Sequence, residues 1–289
     1  MSKVFDALAR EQAAVPNAAQ SGALSALLEE LASAKAKLSG APSEKLSAAS
    51  NAGAPSALSA IRTAPLRIAQ RAPLLPFDGE HAQGAEQYRI ARTRIAQHPN
   101  HPSMIVVSSA GRGDGKSVTA INLAGSFSLK AEGAILLVDA DFRHSSIRKQ
   151  LGLGAASGLA EVLEGKCALE EGLTRAEQLP NLYILPAGDP AANPGELLDS
   201  ERWRELARRL RQLFGYIVVD SPPVAAVADY ELIQSVSDGT LLVLRPDHTR
   251  RSLAAEALKA IPQKKLIGVV MNSVPKRFWF GDEERTSAS

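Results

Sequence analysis

The segment Ala110-Gly111-Arg112-Gly113-Asp114-Gly115-Lys116-Ser117 constrains the fold more than any other part of this chain. Its glycines let the backbone curl so that successive N–H groups point at one spot, as phosphate oxygens require. Lys116 brings positive charge to that spot, and the Ser117 hydroxyl can hold a divalent cation. Ala110 stands where the usual pattern has a first glycine. The apolar run MIVVSSA (104–110) precedes the loop and the helical pattern SVTAINLAGSFSL follows it. A phosphate-binding loop (P-loop) at a strand–helix junction is therefore predicted, with residues Gly111, Arg112, Gly113, Asp114, Gly115, Lys116, Ser117 and Val118 around a nucleotide.

Five further apolar runs read as strands: AILLVDAD (134–141), LYILPAG (182–188), YIVVDSPP (216–223), GTLLVLRP (239–246) and LIGVVMNSV (266–274). They are continuous rather than alternating, as expected of strands buried on both faces of a parallel sheet. Helical patterns at 116–130, 195–213, 226–236 and 250–261 lie between them. The predicted class is α/β, a mostly parallel sheet flanked by helices with right-handed crossovers.

Two of these strands end in acid. Ligands of open α/β sheets bind beyond the carboxyl ends of the strands, so Asp139, Asp141 and Asp220 should gather near the P-loop. Asp220 suits Mg²⁺. Asp139 and Asp141, two apart, point to one side of a strand. One can accept a hydroxyl proton while the other helps hold the metal.

Composition bounds the rest. The chain has 289 residues, but residues 11–60 contain 16 Ala and 9 Ser, and no aromatic residue lies between Phe5 and Phe77. Such a stretch cannot build a packed core. Residues 1–82 are expected to form a largely disordered or helical N-terminal arm and linker. Amphipathic spacing appears at Val4, Phe5 and Leu8 and at Leu24, Leu27, Leu28 and Leu31, while prolines punctuate 39–80. Residues 83–275 form the nucleotide-binding domain, opened by the helical segment GAEQYRIARTRIAQ, and 276–289 a tail. The formal net charge of +2 gives no basic field for nucleic acid. The single Cys167 fits a reducing compartment. No run of about 18 apolar residues is present, so any membrane contact is expected through a partner. Five arginines on 202–211 read as a solvated face over a core stripe. The tail residues Lys276 to Phe280 could touch a membrane interface, dock on a partner or fold back. The scattered histidines suggest no zinc site.

Taken in order, these motifs resemble the bacterial tyrosine kinases of capsule and exopolysaccharide synthesis, relatives of the division-site and partitioning ATPases. The resemblance covers roughly 83–275 and includes ILLVDADFR, IVVDSPP, GLAEVLEG, LPAGDPAANPGELLDS and LIGVVMNSV. It implies an Mg²⁺-ATP-dependent protein tyrosine (auto)kinase in which Lys116 and Ser117 bind ATP phosphates and Mg²⁺. Asp139 would activate the tyrosine hydroxyl, and Asp141 and Asp220 would position the metal. Arg143 would support nucleotide or neighbour contacts, and Asn272 would contact adenine. Glu86, Arg89 and Arg92 match the family's oligomerisation motif, although Glu86 and Arg89 could also form a mere surface pair. A transmembrane chain-length-determinant (polysaccharide co-polymerase) protein would recruit and activate the chain at the cytoplasmic face of the membrane. Two departures stand out. Gly111 replaces the signature Lys of the partitioning ATPases, which argues against a positioning ATPase. The tail has no tyrosine cluster; the only tyrosines are Tyr88, Tyr183, Tyr216 and Tyr230, of which Tyr88 is expected to be the most accessible. An ATP-dependent assembly switch without tyrosine transfer is the alternative reading.

Overall fold

A computed structural model of the chain describes residues 58, 61–68, 82–130, 133–189, 193–226 and 228–274. The amphipathic segments of the first 31 residues and the basic-aromatic tail lie outside these. One unit, Ala48–Asn272, carries every element described here.

The six apolar runs become strands because their side chains are covered on both faces. In chain order the strands are β1 (Thr63–Ala64), β2 (Met104–Ser109), β3 (Ile135–Asp139), β4 (Thr174–Ala176), β5 (Leu182–Leu185), β6 (Tyr216–Asp220), β7 (Gly239–Leu244) and β8 (Leu266–Met271). Their order in the sheet is β1-β4-β5-β3-β6-β2-β7-β8. Every pairing is parallel except β4 with β5. All residues of β2, β3, β5 and β7 are buried, whereas the edge strand β8 is only half-covered. Each buried Val, Leu or Ile contributes about 1.5–3 kcal/mol, so the central strands are the thermodynamic anchor of the site they carry.

The helices are α1 (Ala82–Ala96), α2 (Lys116–Ser128), α3 (Ile147–Gln150), α4 (Leu159–Glu164), α5 (Leu169–Gly172), α6 (Pro194–Leu198), α7 (Glu201–Leu213), α8 (Asp229–Ser235) and α9 (Arg251–Ala260). The single helix expected over 195–213 is two, because Ser200 accepts a hydrogen bond from the Trp203 N–H and restarts the helix as an N-cap. The arginines of α7 are spent within the chain. Arg204 and Arg208 pair with Glu201, Arg209 with Glu170 and Arg211 with Asp238, while Arg202 donates to the Leu163 carbonyl. Trp203, Leu206 and Leu210 fill the core side of that helix.

The linker reading of 39–80 does not extend to residues 61–68. There β1 pairs with β4, Leu66 and the Gln178 side chain exchange two hydrogen bonds, and the Arg67 N–H donates to the Leu151 carbonyl. Leu58, Ile61 and Leu66 are buried. A two-residue strand is too short to produce a periodic pattern, which is why the sequence hides it.

Candidate active site

Strand order brings the three acidic residues to the P-loop. β2 lies between β6 and β7, and β6 also pairs with β3, so Asp139 stands directly opposite Asp220. The P-loop leaves the end of β2 and turns into α2. It turns through Gly113 (φ 84°) and Gly115 (φ 94°), a left-handed backbone that side chains resist. At Gly115 a Cβ would also collide with the Asn272 amide.

Lys116 folds back into the cleft. Its Nζ lies 2.8 Å from Asp141 Oδ2, 3.3 Å from Asp220 Oδ1 and 3.2 Å from Ser117 Oγ. The Asp141 contact is an ion pair rather than an aligned hydrogen bond, which leaves Oδ2 without a donor of good geometry. Burial works against the ammonium charge, but Asp220, Asp141 and Asp139 together hold its pKa above the ordinary lysine value. The ammonium thus stands where three hard oxygen ligands from Ser117, Asp141 and Asp220 converge on one cation. That donor set fits Mg²⁺, which takes one or two carboxylates and completes its shell with phosphates and water.

The remaining charge is not balanced. Asp139, Asp141 and Asp220 are all buried, facing a single lysine. Burial, reinforced by the Asp220 charge, pushes Asp139 up to about 7, against the Ile147 N–H that favours its ionised form. Asp139 accepts from the backbone N–H groups of Asp141 (3.3 Å), Ser146 (3.2 Å) and Ile147 (3.2 Å), and so also caps the start of α3. Burial likewise raises Asp220, partly offset by Lys116.

A cleft of about 260 Å³ opens at Lys116 and Asp141, walled by the P-loop on one side and by Asp141, His144, Gln150 and Pro223 on the other; Asp139 and Asp220 are not among its lining residues. Its lining includes Arg112, Gly113, Gly115, Lys116, Ser117 and Val118. Pro223 closes the IVVDSPP run and His144 follows the other acidic strand, whereas Gln150, at the end of α3, had no sequence signal. Asn272 reaches the same neighbourhood but turns its Nδ2 to the Asp114 carbonyl (2.9 Å). Arg143 forks onto Asp229 in the first turn of α8 (2.8 Å). On α1, Glu86 and Arg89 form an exposed ion pair (2.7 Å), whereas Arg92 turns inward and donates to the Ser126 carbonyl near the end of α2 (2.8 Å). Tyr88, expected to be the most accessible of the tyrosines, is partly buried against the core, and burial raises its pKa above the ordinary phenol value.

No protein-family model matches the chain. Curated relatives do match. Over 192 residues it is 35% identical to the tyrosine-protein kinase YwqD of Bacillus subtilis, covering 65% of this chain and 80% of that protein. The chain belongs to the bacterial tyrosine-protein kinase family. It is 32% identical over 195 residues to the kinase CpsD of Streptococcus pneumoniae serotype 4, covering 65% of this chain and 84% of CpsD. The kinase domain of VpsO superposes with a TM-score of 0.61 at 31% identity, over 67% of this chain and 96% of that domain. The succinoglycan biosynthesis transport protein ExoP of Rhizobium meliloti is 30% identical over 210 residues, 70% of this chain but only 26% of ExoP. Membership makes the chain a nucleotide-using protein tyrosine kinase and places its α/β sheet in the family fold.

Proposed function

We propose that this kinase transfers the γ-phosphoryl group of ATP, with Mg²⁺, to a tyrosine hydroxyl outside these 289 residues, in support of exopolysaccharide synthesis or export. The observation that carries the reading is the convergence of Lys116, Ser117, Asp141 and Asp220 at the mouth of the P-loop. Gly111 to Val118 cradle the phosphates, and with Mg²⁺ held by the acids Lys116 would be free to turn to the β/γ-phosphates. Ser117, Asp141 and Asp220 would hold Mg²⁺, which would supply positive charge against the transferring group. Asp139, pushed up to about 7, is matched to receive the phenolic proton near neutral pH. The phenolic oxygen bonds to phosphorus as the bridging bond to ADP breaks, a reaction accelerated mainly by positioning and charge stabilisation. Asn272, tied to the loop through Nδ2, keeps its amide oxygen for the base.

The acceptor is assigned outside the chain because none of its own four tyrosines is exposed. Tyr183 and Tyr230 are buried, Tyr216 stacks on Phe127 at 4.1 Å and Tyr88 packs on the core. No helix among the described residues is long and apolar enough to cross a membrane. A transmembrane polysaccharide co-polymerase would recruit the kinase to the inner face of the membrane, in keeping with a chain that matches about a quarter of the longer ExoP. Glu86 and Arg89 offer the exposed part of a subunit contact, with Arg92 bracing the helix that presents it. The test is incubation with Mg²⁺-ATP, that partner and a Glu/Tyr copolymer. Phosphotyrosine on the copolymer or partner, and none on the chain, is expected. ATP hydrolysis without any phosphotyrosine would replace transfer by the assembly-switch reading.

A further inference from the structure

The P-loop has an outer side as well as the side that faces phosphate, and its outer carbonyls are all engaged. Gly111 O accepts from Ser109 Oγ (2.7 Å), and Asp114 O accepts from Asn272 Nδ2 (2.9 Å). Between them, Arg112 O bonds to His248 Nε2 (3.0 Å) and Gly113 O accepts a longer contact from Arg245 Nη1 (3.4 Å). Arg245 and His248 belong to the turn joining β7 to α9. Thr249, in the same turn, donates its hydroxyl to Asp114 Oδ1 (2.7 Å), while Asp114 Oδ2 accepts from the Gly111 N–H (2.8 Å). The Thr249 hydroxyl oxygen in turn accepts from the Arg245 N–H (2.8 Å). Asp114 is buried, so its carboxylate depends on these two donors.

A peptide unit is planar, with C=O and the following N–H pointing opposite ways. Holding the carbonyls of 111–114 outward therefore aims the N–H groups of 112–115 inward. We infer that the β7–α9 turn and Asn272 form an outer brace that preorganises the P-loop amides for a nucleotide diphosphate, with Thr249 as its central positioning residue. The brace rests on the nucleotide-binding reading above. Preorganised donors bind phosphate without reorganisation at the moment of binding, so loosening the brace weakens affinity for polyphosphate while leaving the reacting groups in place.

The experiment is calorimetric titration of the full chain with Mg²⁺-ADP and with AMP, beside steady-state transfer to a Glu/Tyr copolymer. Thr249→Val keeps the shape and removes the hydroxyl. It is expected to weaken Mg²⁺-ADP about tenfold, with a smaller loss for AMP and a raised KM for ATP at little-changed kcat. Thr249→Ser restores the hydroxyl and binds within about twofold of the parent. Equal ADP affinity for Thr249→Val and the parent overturns the brace, as does a serine variant as weak as the valine one. Should Thr249→Val lose its circular-dichroism signature, His248→Ala against His248→Gln decides. Weakened ADP binding in the alanine variant alone, recovered by the glutamine donor, supports the brace, and unchanged binding in both overturns it. A parent protein that binds no Mg²⁺-ADP overturns the functional reading itself together with the brace. Normal parent binding unaffected by the substitutions sinks the brace only.

Discussion

Asp238 sits at the amino end of the sheet, and Asp139 and Asp220 at the carboxyl end. Asp238 Oδ2 receives the Ser103 and Met104 N–H groups, the Ser103 hydroxyl and Arg211, all within 3.1 Å. Burial raises its pKa, but these donors outweigh burial and hold it below the ordinary carboxylate value. At the other end three carboxylates share one lysine, and burial with mutual repulsion drives Asp139 and Asp220 upward. The difference separates structure from function. A carboxylate that only ties elements together is fully supplied with donors. The carboxyl-end cluster is short of positive charge, a deficit that the proposed Mg²⁺ and nucleotide would relieve.

The largest effect expected from breaking this contrast is at Lys116. Lys116→Met should lower phosphotyrosine formation by roughly 10²–10³-fold, by analogy with the loss of a single transition-state donor, while circular dichroism stays unchanged. Next come opposite pH responses of the ligand-free protein. Asp139 has an unfolded value of 3.8 and a folded one of about 7, so its contribution is fully present below 3.8 and is lost as pH rises toward 7. Urea unfolding should show Asp139→Asn gaining on the parent across that window, by at most about 1.4 kcal/mol per pH unit. Asp238 runs the other way. Its ionised form stabilises the fold above 3.8, and this is lost as pH falls through its depressed folded value. Asp238→Asn should cost about 1–3 kcal/mol at pH 7, with the gap closing below pH 4. Equal pH slopes for the two variants would erase the distinction. The smallest effects lie on α1. Arg92→Ala should cost about 1 kcal/mol through its lost bond to Ser126. Arg89→Ala should cost no more than about 0.5 kcal/mol, yet alter oligomer size in light scattering.

Much of the carboxyl end was legible in the sequence because its signals are local. The P-loop string, the six buried strands and the acids at their ends each need only a few consecutive residues. Legibility stopped where contacts join distant segments. Thr249 meets Asp114 across 135 positions and Asn272 meets it across 158, contacts that need β7 beside β2 and, for Asn272, β8 beside β7. The same holds for β1, whose two residues take their strand form from β4, and for the inward turn of Arg92, which shares its motif with the exposed Arg89. Tyr88 shows the limit of helical spacing, since a residue on a charged helix can still face the core.

The central claim is that the acid cluster and P-loop form one site completed by Mg²⁺ and nucleotide. Thermal unfolding of the full chain with and without Mg²⁺-ADP tests it most directly. The midpoint should rise with ligand concentration in the parent, with Mg²⁺ required, and the rise should vanish in Asp220→Ala. A midpoint indifferent to Mg²⁺-ADP, or one that still rises in Asp220→Ala as in the parent, would contradict it.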